Sequence, residues 1–273
     1  MWSALGMVTE AEALHRVLRT AETYAASRLP ILILGETGTG KDLIAQGMHD
    51  LSNSKGTFVP VNCAAASREL FVAELFGAVK GAYTGAVETR EGLVVRARGG
   101  TIFLDEIADL DLDAQGYLLR FLDSGEVRPV GSTESKRVET RVIAATCREL
   151  KRMVKEGIFR ADLLNRLSGL RVRLPALRER LEDLELLIES LWLREGGVAG
   201  AWPAVFNRAI VGRLSRERWP GNVRELRHMV ARALQFSRKH GDAAARQELL
   251  RDLEDPHRHD AEPSAAAQDR KSV

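Results

Sequence analysis

Apolar residues recur along this chain with helical spacing in some stretches and as short unbroken runs in others. Leu14, Val17, Leu18 and Ala21 fall on one helical face. Ahead of them, Thr9-Glu10-Ala11-Glu12 has the hydroxyl-then-acid pattern of a capping box. Together they predict a helix over about residues 10–26. Pro30 follows, then Ile31-Leu32-Ile33-Leu34, closed by Gly35. A short apolar run that ends in glycine reads as a parallel strand buried on both faces. Residues 43–51 read as the next helix. Phe58-Val59-Pro60-Val61, Thr101-Ile102-Phe103-Leu104 and Arg141-Val142-Ile143-Ala144-Ala145 read as further strands, and the alternating Leu170-Arg171-Val172-Arg173-Leu174 as a fifth. Helical stretches separate most of them, which predicts an α/β fold around a parallel sheet.

The pattern changes at Pro175. Beyond it no strand pattern recurs, and residues 181–193, 205–214 and 223–236 read as helices, with a glycine-rich break at 196–200. The expected organisation is an α/β nucleotide-binding subdomain over 1–175, a small all-helical subdomain over 176–240, and a charged tail over 241–273. The tail has only Leu249, Leu250 and Leu253 as an apolar cluster, and its polar, alanine-rich composition predicts disorder.

Composition narrows the class. With 45% apolar and 29% charged residues the chain is of globular type. No apolar run reaches the ~20 residues of a bilayer span, and no basic segment leads into an apolar core at the start. The expectation is a cytoplasmic protein without membrane contact. Cys63 and Cys147 match no metal-ligand spacing and form no disulfide framework. A net charge of +2 excludes a surface that grips nucleic acid throughout.

Gly35-Glu36-Thr37-Gly38-Thr39-Gly40-Lys41-Asp42 follows the first strand and opens a helix. That is the phosphate-loop pattern in the context it requires. Glycines let backbone N–H groups wrap phosphates, the helix N-terminus adds positive potential, and Lys41 would neutralise the β- and γ-phosphates of ATP. The usual Ser or Thr after the lysine, a magnesium ligand, is here Asp42. Downstream, the apolar strand 101–104 runs into Asp105-Glu106. Adjacent carboxylates at a buried strand end are costly unless a cation compensates them. Asp105 would orient magnesium or its waters, and Glu106 would polarise an attacking water. Neighbouring strand residues point opposite ways, which suits two separate roles.

Gly81-Ala82-Tyr83-Thr84-Gly85-Ala86 resembles the GAFTGA signature of the sigma-54-dependent transcriptional activators, the bacterial enhancer-binding proteins, with Tyr83 in the phenylalanine position. It follows Glu74-Leu75-Phe76-Gly77 as the family's pattern does, and an acid after the phosphate-loop lysine is also a family habit. The resemblance covers roughly residues 5–235. It implies an AAA+ P-loop NTPase fold with a helical lid, ATP hydrolysis with magnesium, and a homo-oligomeric ring, expected to be a hexamer. It also implies sigma-54 and RNA polymerase holoenzyme as partners, touched by the signature loop. On composition alone, two glycines around a small, partly aromatic tip predict a mobile loop that exposes Tyr83, or else a tight turn with the tyrosine folded inward.

Other roles carry over by position. Asn62 resembles the switch residue that holds the catalytic glutamate, although an asparagine near a strand end also serves as a backbone cap. Arg160 and Arg166, in Phe159-Arg160-Ala161-Asp162-Leu163-Leu164-Asn165-Arg166, resemble arginine fingers that act on a neighbour's γ-phosphate. Six residues apart, they do not share one face of a straight helix. Thr146 resembles the first sensor, and Arg224, in Trp219-Pro220-Gly221-Asn222-Val223-Arg224, the lid sensor. Ala78 and Val79 depart from the family's His-Glu, and Cys147 from its Asn or His, offering a poorer side-chain donor. No receiver domain precedes these motifs and no helix-turn-helix follows them, so the expectation is an ATPase domain without sequence-specific DNA binding of its own. Two alternatives stay open: an AAA+ ATPase that remodels another protein target, and a nucleotide-binding regulatory subunit without turnover.

Overall fold

The computed structural model describes residues 1–64, 68–83 and 86–254, and it divides into two compact units. The first comprises residues 1–7 and 12–176, the second residues 8–11 and those from 177 onward.

In chain order the first unit contains α1 (Glu12–Ala25), β1 (Ile31–Leu34), α2 (Lys41–Leu51), β2 (Phe58–Asn62) and α3 (Arg68–Phe76). A short hairpin of β3 (Gly77–Ala78) and β4 (Arg90–Glu91) follows, then α4 (Leu93–Arg96), β5 (Thr101–Asp105) and α5 (Leu112–Ser124). A second hairpin, β6 (Glu126–Val127) and β7 (Lys136–Arg137), precedes β8 (Arg141–Thr146), α6 (Leu150–Lys155), α7 (Ala161–Leu167) and β9 (Leu170–Arg173). The main sheet has five parallel strands in the order β2-β5-β8-β1-β9, as the alternation of apolar runs and helices implied.

The sheet is covered on both faces, which explains the unbroken apolar runs. Leu32, Ile102, Leu104, Val142 and Ala144 point to one core, shared with Leu75, Leu118 and Leu163. The intervening Ile31, Ile33, Phe103, Ile143 and Ala145 point to the other, shared with Leu14, Leu18, Ile44 and Met48. The edge strand β2 carries Pro60, which cannot donate to a further strand. Arg171 and Arg173 are exposed on β9 at the other edge, a charged position that discourages pairing.

Arg141 ties the helical layer to the sheet. Its guanidinium donates to Met48 O at 3.2 Å and Tyr24 O at 3.0 Å, carbonyls in or beside the last turns of α2 and α1. A cation there meets the negative ends of two helix dipoles. Burial pushes its pKa down to about 10, so it remains charged at neutral pH.

The second unit contains α8 (Leu184–Arg194), α9 (Arg208–Leu214), α10 (Asn222–His240) and α11 (Asp242–Glu254). Its core includes Leu184, Leu187, Phe206, Trp219, Leu226 and Val230. Trp219 is fully buried, and its indole N–H donates to Leu214 O at 3.0 Å. Asn222, also fully buried, accepts the Leu177 N–H at 2.7 Å.

Two expectations change here. Of the tail expected to be disordered over 241–273, Asp242–Glu254 is helical, directly after Gly241, and residues 255–273 lie outside the described residues. Ala245 and Leu249 are buried, one helical turn apart, and Leu250 and Leu253 pack on the same core. Four apolar positions among charges are too few to register as an amphipathic pattern, but enough to seal one face against α10. The capping box is also used differently. Helix α1 begins at Glu12, and Thr9 Oγ1 accepts the Ala11 N–H while donating to buried Asp183. Asp183 itself accepts the N–H groups of Glu10 and Ala11 at 2.6 and 3.0 Å, so the orphan donors before α1 are satisfied by a distant carboxylate.

Arg141→Met is expected to lower stability by about 3 kcal/mol, since two helix-end carbonyls lose a charged donor. Urea unfolding with an unchanged m-value would measure it; a loss under about 0.5 kcal/mol would show that the guanidinium contributes nothing net.

Candidate active site

The register of the parallel strands builds the site. Leu34 lies level with Thr146, and Leu104 with Ala144, so the carboxyl ends of β1, β8 and β5 open side by side. The glycine loop leaves β1 at Gly35, whose N–H donates to Thr146 O at 3.3 Å. Gly38 and Gly40 have φ of 75° and 95°, a left-handed geometry that a side chain would strain.

Lys41 opens α2 and is buried. Its ammonium donates to Gly35 O at 3.1 Å and Glu36 O at 3.3 Å, and stands 3.3 Å from Glu106 Oε1. Glu106 sits just past β5 in a left-handed conformation, φ 51° and ψ 51°. Its other oxygen accepts the Cys147 N–H at 3.2 Å and lies 3.5 Å from the Thr146 hydroxyl. The backbone of residue 147 therefore supplies the donor, and the departure to cysteine leaves that bond intact. Burial pushes the Asp105 carboxyl above its ordinary pKa, and the neighbouring Glu106 adds to the shift, while Lys41 opposes it. Asp42 is exposed in the first turn of α2.

Not every expected partner joins this cluster. Asn62 is level with Asp105 on the adjoining strand, but its side chain accepts the Ala64 N–H at 3.0 Å. It acts as a backbone cap, and Glu106 is held by Lys41 and the end of β8 instead.

The signature segment emerges from the β3–β4 hairpin. Gly81 N–H donates to Ala86 O at 2.8 Å, and Ala86 N–H to Tyr83 O at 3.0 Å, which curls the segment back on itself. Tyr83 is half-buried as a result, and the exposed apolar side chain is Val87, 74% accessible. Thr84 and Gly85 lie outside the described residues. At Ala78-Val79, where the family's His-Glu is missing, Val79 N–H donates to Val130 O, and Val130 N–H to Gly77 O. Gly131, φ 79°, closes this junction, for a Cβ there would stand 2.8 Å from that of Ala82.

The two arginines are held separately. Arg160 precedes α7; its N–H donates to Gln115 Oε1 at 2.8 Å and its guanidinium pairs with Asp162. Arg166, in the last turn of α7, donates to Leu122 O and pairs with Asp123 at 3.1 Å. In the second unit, Arg224 is exposed in the first turn of α10.

Residues 7–173 match the model of the sigma-54 interaction domain, and residues 178–266 that of an AAA+ ATPase lid domain. The chain belongs to the sigma-54 interaction family. It is 42% identical to the DNA-binding transcriptional regulator NtrC of Azospirillum brasilense, over 84% of this chain and 47% of that one. It is 43% identical to the nitric oxide reductase transcription regulator NorR1 of Cupriavidus necator, over 83% and 44%. The chain spans about half the length of the curated relatives it matches. Among solved structures, NtrX of Brucella abortus in complex with ADP superposes with a TM-score of 0.82 at 33% identity, covering 95% of this chain and 59% of that one. Its complex with ATP gives 0.78 at 34% identity, over 86% and 54%. RuvB of Thermotoga maritima, at 17% identity and a TM-score of 0.59, shares the fold alone.

As a sigma-54 interaction domain the chain also uses residues that sequence reasoning did not single out. Gln115 is fully buried in α5, donating to Leu110 O and Ile158 O while accepting from Arg160. Asp109 pairs with Arg148 at 2.6 Å. Neither side chain has a sequence signal beyond being polar. Cys63 is buried against the site, and burial, with Asp105, Asp109 and Glu106 nearby, pushes its thiol far up; Cys147 is exposed.

Iodoacetamide at neutral pH should label Cys147 and spare Cys63 in the folded chain, because the thiolate is the reacting form. Peptide mass spectrometry would show it. Equal labelling of both would contradict the burial of Cys63.

Proposed function

We propose that this chain binds and hydrolyses ATP with magnesium as a ring, most simply a hexamer, and uses the cycle to remodel sigma-54 RNA polymerase holoenzyme towards the open complex. The observation that carries the reading is the convergence of Lys41, Glu106 and Thr146 at the aligned strand ends. The NtrX complexes with ATP and ADP support the nucleotide, and the family match supports the partner.

On this reading the glycine loop over Gly35–Asp42 and the start of α2 cradle the triphosphate, with the N–H groups that the loop leaves free and with the Lys41 ammonium. Lys41 exchanges its loop carbonyls and the Glu106 carboxylate for phosphate oxygens, which leaves Glu106 free to take the proton of the attacking water. The Cys147 N–H and Thr146 fix the carboxylate's direction. Among the described residues no three side chains cluster as a metal site. Asp105 beside Glu106, with the Lys41 ammonium against Glu106, nonetheless fits a hard cation completed by phosphates and water, as magnesium sites are commonly built. Magnesium would spread the charge that develops on the γ-phosphate. Arg224 is assigned to sensing that phosphate from the lid.

Arg160 and Arg166 are assigned to a neighbour's nucleotide. Arg166 lines a cleft with Pro30, Gly100 and Gly169, which precede β1, β5 and β9. The chain's own phosphate loop is at the other end of those parallel strands, and β1 alone spans about 13 Å. The reading places the chain in the cytoplasm. It assigns polymerase contact to residues 81–86 and no sequence-specific DNA contact to this chain.

Glu106→Gln should keep ATP binding and lose about 10²–10⁴ in turnover; a phosphate-release assay beside a nucleotide-binding titration tests it, and near-normal hydrolysis would remove Glu106 from the role. Thr84→Ala should leave hydrolysis within about twofold while abolishing ATP-dependent open-complex formation on a pre-melted promoter. Normal activation by that variant would show that the signature loop is not the coupling element.

A further inference from the structure

The cleft that holds Arg166 is more basic than one finger requires. It encloses about 780 Å³ and is lined by Arg28, Lys55, Arg137, Arg141 and Arg166, against the single carboxylate of Glu139. That volume is in the range of about 300–1,000 Å³ typical of small-ligand clefts. The excess of cations stands in a chain that is close to neutral overall, at +2.

Three of the five cations are already engaged. Arg141 is bound to helix-end carbonyls, Arg166 to Leu122 O and Asp123, and Arg28 is 3.8 Å from Glu139. The side chains of Lys55 and Arg137 make no hydrogen bond or ion pair among the described residues. Both stand on fixed backbone. Gly56, next to Lys55, packs so closely on Gly99 and Gly100 that a Cβ there would fall 2.2 Å from the Gly100 nitrogen. Arg137 is in register with Glu126 across the β6–β7 hairpin, but the Glu126 carboxylate accepts from Ser135 at 2.8 Å. Unpaired cations around a concave surface suit an anion of concentrated charge better than scattered acidic side chains.

We infer that Lys55 and Arg137 are further contacts, beside Arg166, for the triphosphate of a nucleotide held by a second copy of this chain. The inference rests on the ring reading above. The chain's own nucleotide is ruled out as occupant by placement, since its phosphate loop and this cleft lie at opposite ends of the same strands. Charge-assisted contacts of this kind add to what Arg166 contributes when negative charge spreads over the γ-phosphate.

Lys55→Gln, Arg137→Gln and the double variant test this in the full chain. Both side chains are exposed and unpaired among the described residues, so folding should be unaffected. Binding of a fluorescent ATP analogue by the dilute chain should be unchanged. Turnover at assembling concentrations should fall about tenfold for each single variant and on the order of a hundredfold for the double. Mixing the double variant with Glu106→Gln chains should restore part of the activity, because composite sites then pair an intact Glu106 with an intact cleft. Arg166→Ala runs alongside. Unchanged turnover in the double, with activity lost in Arg166→Ala, would overturn the inference and leave the ring reading standing; unchanged turnover in both would overturn the ring reading itself. Loss without recovery in proven mixed assemblies would make the cations structural. Tripolyphosphate binding by the dilute chain that the double variant abolishes, with turnover unchanged, would make the cleft a free-anion site; both outcomes overturn it.

Discussion

Parallel strands all end at the same edge of a sheet, and a parallel sheet must be buried on both faces. Those two facts govern this molecule. Burial dictates the apolar runs at 31–34, 101–104 and 141–146, and the common edge brings together whatever polar residues terminate them. Here these are Gly35, Asp105-Glu106 and Thr146-Cys147, aligned by the register of β1, β8 and β5. The 3.3 Å contact between Lys41 and Glu106 is the product: a loop lysine and a strand-end acid, 65 positions apart in sequence, meet because their strands flank β8.

The same geometry assigns work to the opposite edge. Strand beginnings gather Pro30, Gly100, Arg141 and Gly169 around a basic cleft. On the proposed reading, phosphate chemistry at one edge and free cations at the other leave a single copy incomplete in a specific sense: its positive cleft does not face its own loop. A head-to-tail contact between identical copies brings unlike edges together, and such heterologous contacts close into rings when the rotation permits. The ring reading thus has a physical basis in strand direction, independent of the arginine spacing.

Much of this was legible in the sequence because it depends on local rules. Unbroken apolar runs identify buried strands, and Gly38 and Gly40 are needed where φ is positive. The Asp-Glu pair after Leu104 is conspicuous because it violates burial. What stayed hidden depends on tertiary neighbours. Gln115 is an unremarked polar residue in an amphipathic helix until its amide is seen to bridge three backbone groups. Gly131 is one glycine among 23, and only the proximity of Ala82 shows why it lacks a side chain. The role of Cys147 is carried by its N–H, which side-chain chemistry does not reveal. The helix Asp242–Glu254 owes its order to the α10 surface, not to its own periodicity. Composition leaves Tyr83 open between an exposed tip and a tight turn, and the half-buried position is settled by the fold rather than by the segment's residues.

Asp42 shows how the site balances its charges. It stands where the generic loop has a hydroxyl, and a carboxylate in the first turn of α2 is favoured by the helix dipole. One of the loop's two hydroxyls, on buried Thr39, is already bonded to Glu36 O at 2.8 Å. Asp42 thus puts a carboxylate where the generic loop has a hydroxyl, and it contributes to the upward push on Asp105. Carboxylates at 42, 105 and 106 would repel a bare triphosphate, which carries several like charges. A triphosphate accompanied by a divalent cation arrives largely neutralised and meets carboxylates that match that cation. On the proposed reading, the acid at position 42 makes the site selective for the metal-bound nucleotide over the free one, so that anion and cation enter together rather than in turn.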